Sequence, residues 1–191
     1  MRKFLIAAIL SLLPFAAQAQ SLRAAVSLSG SDTNNCAVAT PCRTFAAALA
    51  VIADKGQIIC LNSAGFGGMV ITKSVEIDCS AGQGLITAGG AGSNAIVISG
   101  STPLTVSIRG VLISGINAGQ NGIQMLAPGS LLLDNVRVHG FIGYGVNVEP
   151  ASGNATVTIK DSLLSNNAGG NIFSKPSSSV VSFGTTFIDN K

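Results

Sequence analysis

Arg109, Asp134 and Lys160 stand twenty-five and twenty-six residues apart, and each directly follows an aliphatic residue: Ile108, Leu133 or Ile159. Charges of alternating sign at one position of a repeat would form a ladder, with a basic group beside a carboxylate at each step. Such a pair has the components to hold a uronate carboxylate through charge-assisted hydrogen bonds, or to take a proton from carbon. It also serves architecture alone, because opposite charges on neighbouring strands are worth about 0.2 to 1 kcal/mol a pair and discourage register slips. The architectural role outweighs binding here, and binding outweighs catalysis. Asp78, closing the segment VEID, extends the ladder if Val75 and Ile77 are the equivalents of Val106 and Ile108. That step needs a rung of thirty-one residues. The excess falls in AGQGLITAGGAGSNA, which either forms a long loop or hides an additional irregular rung.

The remaining reactive groups are few. The chain holds eight carboxylates and a single histidine, His139, in the fragment VHG. A glycosidase needs two carboxyls flanking the bond, and a calcium-dependent lyase needs clustered carboxylates with an Arg or Lys as base. No two aspartates are adjacent, and His139 without a partner reads as a turn or surface residue. No catalytic residue, cofactor or metal ligand is assigned; calcium enters only with a lyase. Four cysteines allow three pairings. Cys36 and Cys42 flank AVATP and are expected to close a local loop, which leaves Cys60 and Cys79, on successive early strands, as the second disulfide. Zinc is disfavoured by the absence of C-x-x-C and the distance to His139.

The elements that position the ladder are read from a repeat. ATVTIKDSLLSNNAGGNIF lies over SLLLDNVRVHGFIGYGVNV at a shift of twenty-six, LTVSIRGVLISG precedes them by twenty-five, and VVSFGTTFIDN follows by twenty-four. Three apolar columns result: Ile108, Leu133, Ile159, Phe183; Val106, Leu131, Val157, Val181; and Ile113, Val138, Leu164, Ile188. A turn column runs Gly115, Gly140, Asn166, Asn190, all of them residues that tolerate left-handed backbone. Short strands, turns and a loop use about 22 to 26 residues, one rung of a parallel β-solenoid whose rungs stack about 4.8 Å apart. Ile123 and Val146 are only twenty-three apart, and a shorter loop accounts for the difference. Charged residues make up only 10% of the chain and Gly numbers 23, with no Trp, which fits a solenoid better than a helical protein. The regular aliphatic columns argue against disorder.

The first nineteen residues carry the pattern of an export signal: Arg2 and Lys3, an apolar run from Phe4 to Phe15, and Ala17-Gln18-Ala19 before the cleavage point. The run is short for a membrane span. Export suits the disulfides. Removing Arg2 and Lys3 lowers the formal charge from +3 to +1, with no basic cluster, so nucleic acid is not an expected partner.

Upstream of the rungs, RTFAAALAVIADKG places Phe45, Leu49 and Ile52 on one helical face, with Gly56 as the stop. Such a helix would cover the open first rung of a solenoid. The order AVSLSGSDTNN, TPC, helix, Gly and first strand QIICLN resembles the entry of right-handed parallel β-helix proteins of the pectin-lyase-like superfamily. The resemblance implies an all-β fold, a right-handed parallel β-helix with an N-terminal capping helix. Its expected parts are 1–19 signal peptide, 20–56 strand, disulfide loop and capping helix, and 57–191 rungs. It implies a polysaccharide as partner and the outer strip Asp78, Arg109, Asp134, Lys160 as the place to bind it. Lyases, hydrolases and non-catalytic proteins share this fold, and a polygalacturonase-like site would need an Asp-Asp pair that is missing here. The reading is therefore a non-catalytic glycan-binding or envelope protein, with a small polysaccharide lyase or glycoside hydrolase as the alternative. The apolar end at FIDNK is expected to pair with another copy or with further rungs.

Overall fold

The computed structural model describes residues 21–188. The expected export signal and Asn190 lie outside them. The described chain opens with β1 (Ser21–Val26) and α1 (Phe45–Val51) and then winds through five coils of three strands. These are β2 (Ile52–Cys60), β3 (Ala64–Gly65) and β4 (Met69–Ile71); β5 (Val75–Asp78), β6 (Gly84–Thr87) and β7 (Ile96–Ile98); β8 (Leu104–Arg109), β9 (Val111–Ser114) and β10 (Ile123–Met125); β11 (Gly129–Asp134), β12 (Arg137–His139) and β13 (Tyr144–Val148); and β14 (Ala155–Lys160), β15 (Leu163–Ser165) and β16 (Gly170–Ser174). A sixth coil begins with β17 (Ser179–Phe183) and β18 (Thr186–Ile188). Each strand pairs in parallel with its equivalent one coil away, giving sheets of seven (β1-β2-β5-β8-β11-β14-β17), five (β4 to β16) and six (β3 to β18) strands. The fold is an all-β parallel solenoid.

The period-two pattern decides what faces inward. Val106, Leu131 and Val157 align as neighbours, as do Ile108, Leu133 and Ile159, and all are essentially inaccessible to water. Ile113, Val138 and Leu164 do the same on the six-stranded sheet. The long rung is one coil, because β5 pairs directly with β8 and β6 with β9. Its extra residues lie in the connections from β5 to β6 and from β7 to β8, while β6 and β7 are spaced as β9 and β10 are. The excess is therefore not one long loop in AGQGLITAGGAGSNA, which contains β6 itself. Ile123 pairs with Val146, and the shorter spacing is absorbed between β12 and β13.

The fourth members of the three columns are corrected by one residue. Val157 pairs with Val180 rather than Val181, Ile159 with Ser182 rather than Phe183, and Leu164 with Phe187 rather than Ile188. Adjacent aliphatics Val180 and Val181 make the two registers equal in pattern. What separates them is a corner column in left-handed backbone: Gly110 (φ 66), Asn135 (φ 52), Asp161 (φ 48) and Gly184 (φ 57). Gly184 meets this need without a Cβ and locks the coil one residue shorter. Val181 and Phe183 consequently point outward and are about half exposed. In the expected turn column Gly140 (φ 74) and Asn166 (φ 56) are left-handed, but Gly115 is not; Ile116 and Asn117 take that role. Gly115 is needed for proximity instead, since a Cβ there would lie 2.3 Å from the Gly140 carbonyl oxygen.

The helix is shorter than expected. Thr44 caps it, its hydroxyl oxygen accepting from the Ala47 amide at 3.2 Å and donating to Asp32 Oδ2 at 2.9 Å, while Asp32 Oδ1 accepts from the Arg43 and Thr44 amides. Phe45, Ala48 and Leu49 are buried, and the helix lies against β1, β2 and β4, with the Phe45 ring on Phe66. It ends at Val51, and Ile52 is already extended (ψ 147). Gly56 does not stop the helix; it lies inside β2, where a Cβ would come within 2.7 Å of the Ile52 side chain. Both expected disulfides are present, Cys36–Cys42 and Cys60–Cys79. Cys60 and Cys79 follow the paired residues Ile59 and Asp78, so this bridge staples the first coil to the second.

Candidate functional site

The outer surface of the seven-stranded sheet carries the charge ladder in the expected register. Arg109 pairs with Asp78 on one side and Asp134 on the other, and Asp134 with Lys160. The side chains arrange themselves differently from the backbone ladder. Arg109 Nη1 donates to Glu76 Oε1 at 3.1 Å, two positions from its register neighbour, and its Nε lies 3.6 Å from Asp134 Oδ2. Lys160 Nζ stands 3.7 Å from Asp134 and 3.2 Å from Asp161. Asp78 instead accepts from the hydroxyl and the amide of Ser80, and these bonds, aided more weakly by Arg109 and Arg23, hold its carboxyl below the usual range. The Asp161 hydrogen bond, followed by the Asp134 charge, raises the Lys160 ammonium above its usual value.

Beside the ladder lies a groove of about 740 Å³. Its floor is a lattice of outward hydroxyls one coil apart, with Ser74, Thr105 and Ser130 in one column and Ser107 and Thr158 flanking Leu132 in the next. The Ser107 hydroxyl is buried and has no hydrogen-bond partner. Arg109 and Glu76 close one edge and Lys55 another. Lys55 reaches the groove through a bulge: Ser21 pairs with Ile52 but Arg23 pairs with Gln57, so β2 carries extra residues, and Lys55 takes φ 62 within them. Its amide donates to the Ser74 carbonyl at 2.8 Å, and Asp54 Oδ1 accepts from the Ser74 amide at 2.9 Å.

Of the four expected strip residues, only Arg109 lines the groove; Asp78, Asp134 and Lys160 run alongside it in the adjoining column. Lys55, Glu76 and the hydroxyl lattice were not anticipated. Glu76 was readable in VEID, two residues before Asp78 on the same outward face; Lys55 was hidden by the reading of its segment as helix. His139 sits on the six-stranded sheet, paired with Ser114 and Ser165, away from this groove. The described residues contain no group of three or more His, Cys, Asp or Glu side chains placed to hold a metal ion, and no described helix is long and apolar enough to cross a membrane. Both carboxylates of the strip have partners, and the Arg109 and Lys160 side chains both remain partly exposed.

No protein-family model matches the chain, and no curated protein matches it in sequence. Among solved structures it is similar to that titled "Crystal structure of pectate lyase Pel9A", with a TM-score of 0.66 and 15% identity, over 85% of this chain and 46% of that one. The chain therefore spans about half the length of that protein. At this identity the likeness establishes the fold alone: a parallel β-helix of the kind that pectate lyase has.

Proposed function

We propose that this protein is an exported, non-catalytic β-helix that binds an extended glycan along the groove of its seven-stranded sheet. The observation that carries the reading is the groove itself, whose floor repeats hydroxyl groups coil by coil beside an Arg109 already oriented by Glu76 and Asp134. A glycan presents hydroxyls at regular intervals along a chain, and a uronate adds carboxylates that a guanidinium recognises well. The unpartnered Ser107 hydroxyl gains a partner when such a ligand is bound. Export is part of the proposal and is supported by the two disulfides, which persist in oxidising compartments.

Titration with oligogalacturonate and neutral oligosaccharides, in parallel with a cleavage assay with and without calcium, tests the proposal. The expected result is saturable binding of acidic oligomers with no product formed, and at least tenfold weaker binding by Arg109→Gln at a temperature where that variant, which loses its pairs with Glu76 and Asp134, is still fully folded by circular dichroism. Saturable release of unsaturated or reducing ends would replace it by the lyase or hydrolase reading, which the shared fold of a pectate lyase keeps as the comparison.

A further inference from the structure

The five-stranded sheet carries a second group of polar side chains on its outer surface, unlike the groove in both chemistry and place. In register across its coils run Val70, Val97, Gln124, Asn147 and Phe173. Gln124 and Asn147 are more than nine-tenths buried although they point away from the core. They are held in a row of amides. Asn121 Nδ2 donates to Gln124 Oε1 at 2.8 Å, Asn147 Nδ2 donates to the same oxygen at 3.0 Å and to Glu149 Oε2 at 2.9 Å, and Asn121 Oδ1 accepts from the Tyr144 amide at 2.8 Å. Asn147 Oδ1 is buried without any donor. Its amide nitrogen is spent on Gln124 of the preceding coil and on Glu149 just past the end of β13, and its register partner in the following coil is Phe173.

Phe173 is 37% exposed and packs against Tyr144, with ring centroids 5.2 Å apart at 35°. Gly170, the register partner of Tyr144, lies at φ 118, a backbone conformation that favours glycine, and a Cβ there would make an ordinary contact with the Tyr144 ring at 3.8 Å. A rigid aromatic pair beside a row of oriented amides and one carboxylate has the composition by which proteins hold a neutral sugar, with the ring faces taking its C–H side and the amides its hydroxyls. We propose that Tyr144, Phe173, Asn147, Gln124 and Glu149 form a second carbohydrate site, for a neutral pyranose, on the five-stranded sheet. A sugar hydroxyl entering beside Phe173 supplies the donor that Asn147 Oδ1 lacks. This site is independent of the groove, which lies on another sheet.

Tyr144 is the single tyrosine and the chain has no tryptophan, so tyrosine emission reports this site directly. Titrating the full protein with neutral hexasaccharides of glucose, mannose or galactose is expected to change that emission saturably for at least one of them, and to shift the Asn147 side-chain amide in ¹H–¹⁵N spectra. Phe173→Leu, checked for folding by circular dichroism, is expected to weaken that response roughly three- to tenfold, while Arg109→Gln leaves it unchanged. No saturable change with any of the three sugars, an unchanged affinity in Phe173→Leu, or a response confined to oligogalacturonate would overturn the proposal. None of those outcomes bears on binding in the groove, which the Arg109 variant reads separately.

Discussion

Arg109 is the residue on which the outer strip turns, because it serves Glu76 and Asp134 at once while its side chain remains 40% exposed. Exposure of that size leaves the pairs screened by water and salt, so their worth is set by geometry more than by Coulomb attraction. Replacing Asp134 by Asn is expected to lower stability by about 1 kcal/mol or less through its pair with Arg109, and the loss should shrink in salt. Chemical denaturation at two ionic strengths measures both. A double-mutant cycle between Arg109 and Glu76 should show the larger coupling, since that contact is the shorter. Asp78 answers to pH. Its folded carboxyl titrates below its unfolded value, chiefly because Ser80 donates to it twice, so it contributes stability above the ordinary Asp range and loses it as pH falls through the depressed folded value. Ser80→Ala removes the larger of the two donations and should move the acid unfolding midpoint to higher pH, with little change at neutral pH beyond the lost hydrogen bond. An unmoved acid midpoint would mean that Ser80 is not the cause.

At the scale of elements, the corners and the staples set the coils. Gly110 and Asn135 occupy the same left-handed corner one coil apart, yet their tolerances differ. A Cβ at Gly110 would meet the Cys79 backbone at 2.7 Å in addition to its φ of 66. Gly110→Ala is therefore expected to cost more than the roughly 1–2 kcal/mol of left-handed backbone alone. Asn135→Gly should be nearly neutral, because glycine relieves the backbone in the folded state while freeing the unfolded chain. Urea denaturation of the two variants separates these cases. The bridge between Cys60 and Cys79 closes nineteen residues and joins neighbouring coils, whereas Cys36 and Cys42 are six apart. Chain-entropy reasoning gives about 3 kcal/mol for the first and about 2 for the second. Replacing Cys60 and Cys79 together by Ser should therefore lower the denaturation midpoint more than replacing the other pair.

Across the whole molecule, stability follows position along the coil, since each coil touches only its neighbours. The strands β8, β11 and β14 are paired on both sides over a core with almost no water access, while β17 and β18 are largely exposed along their length. Amide exchange is expected to begin in β17 and β18 and to be slowest in β8 and β11; uniform protection would contradict nearest-neighbour coupling. The sequence by itself determined the solenoid, because stacking places residues about twenty-five apart side by side, and aliphatics such as Val106, Leu131 and Val157 betray that arrangement through position alone. It also determined the backbone register of Arg109, Asp134 and Lys160, and pointed to the disulfide pairs through the short loop between Cys36 and Cys42. It left the register of Asp78 open between one long rung and a hidden extra one, which direct pairing of β5 with β8 decides. It could not choose between Val180 and Val181, where two aliphatics satisfy the same alternation and only the left-handed corner at Gly184 breaks the tie. The candidate sites needed the third dimension for a different reason. Glu76 reaches Arg109 diagonally, Lys55 reaches the groove through a bulge, and Tyr144 meets Phe173 of the next coil. Side-chain direction and local backbone distortion decide such contacts, and the repeat, which records only which residues share a column, does not contain them.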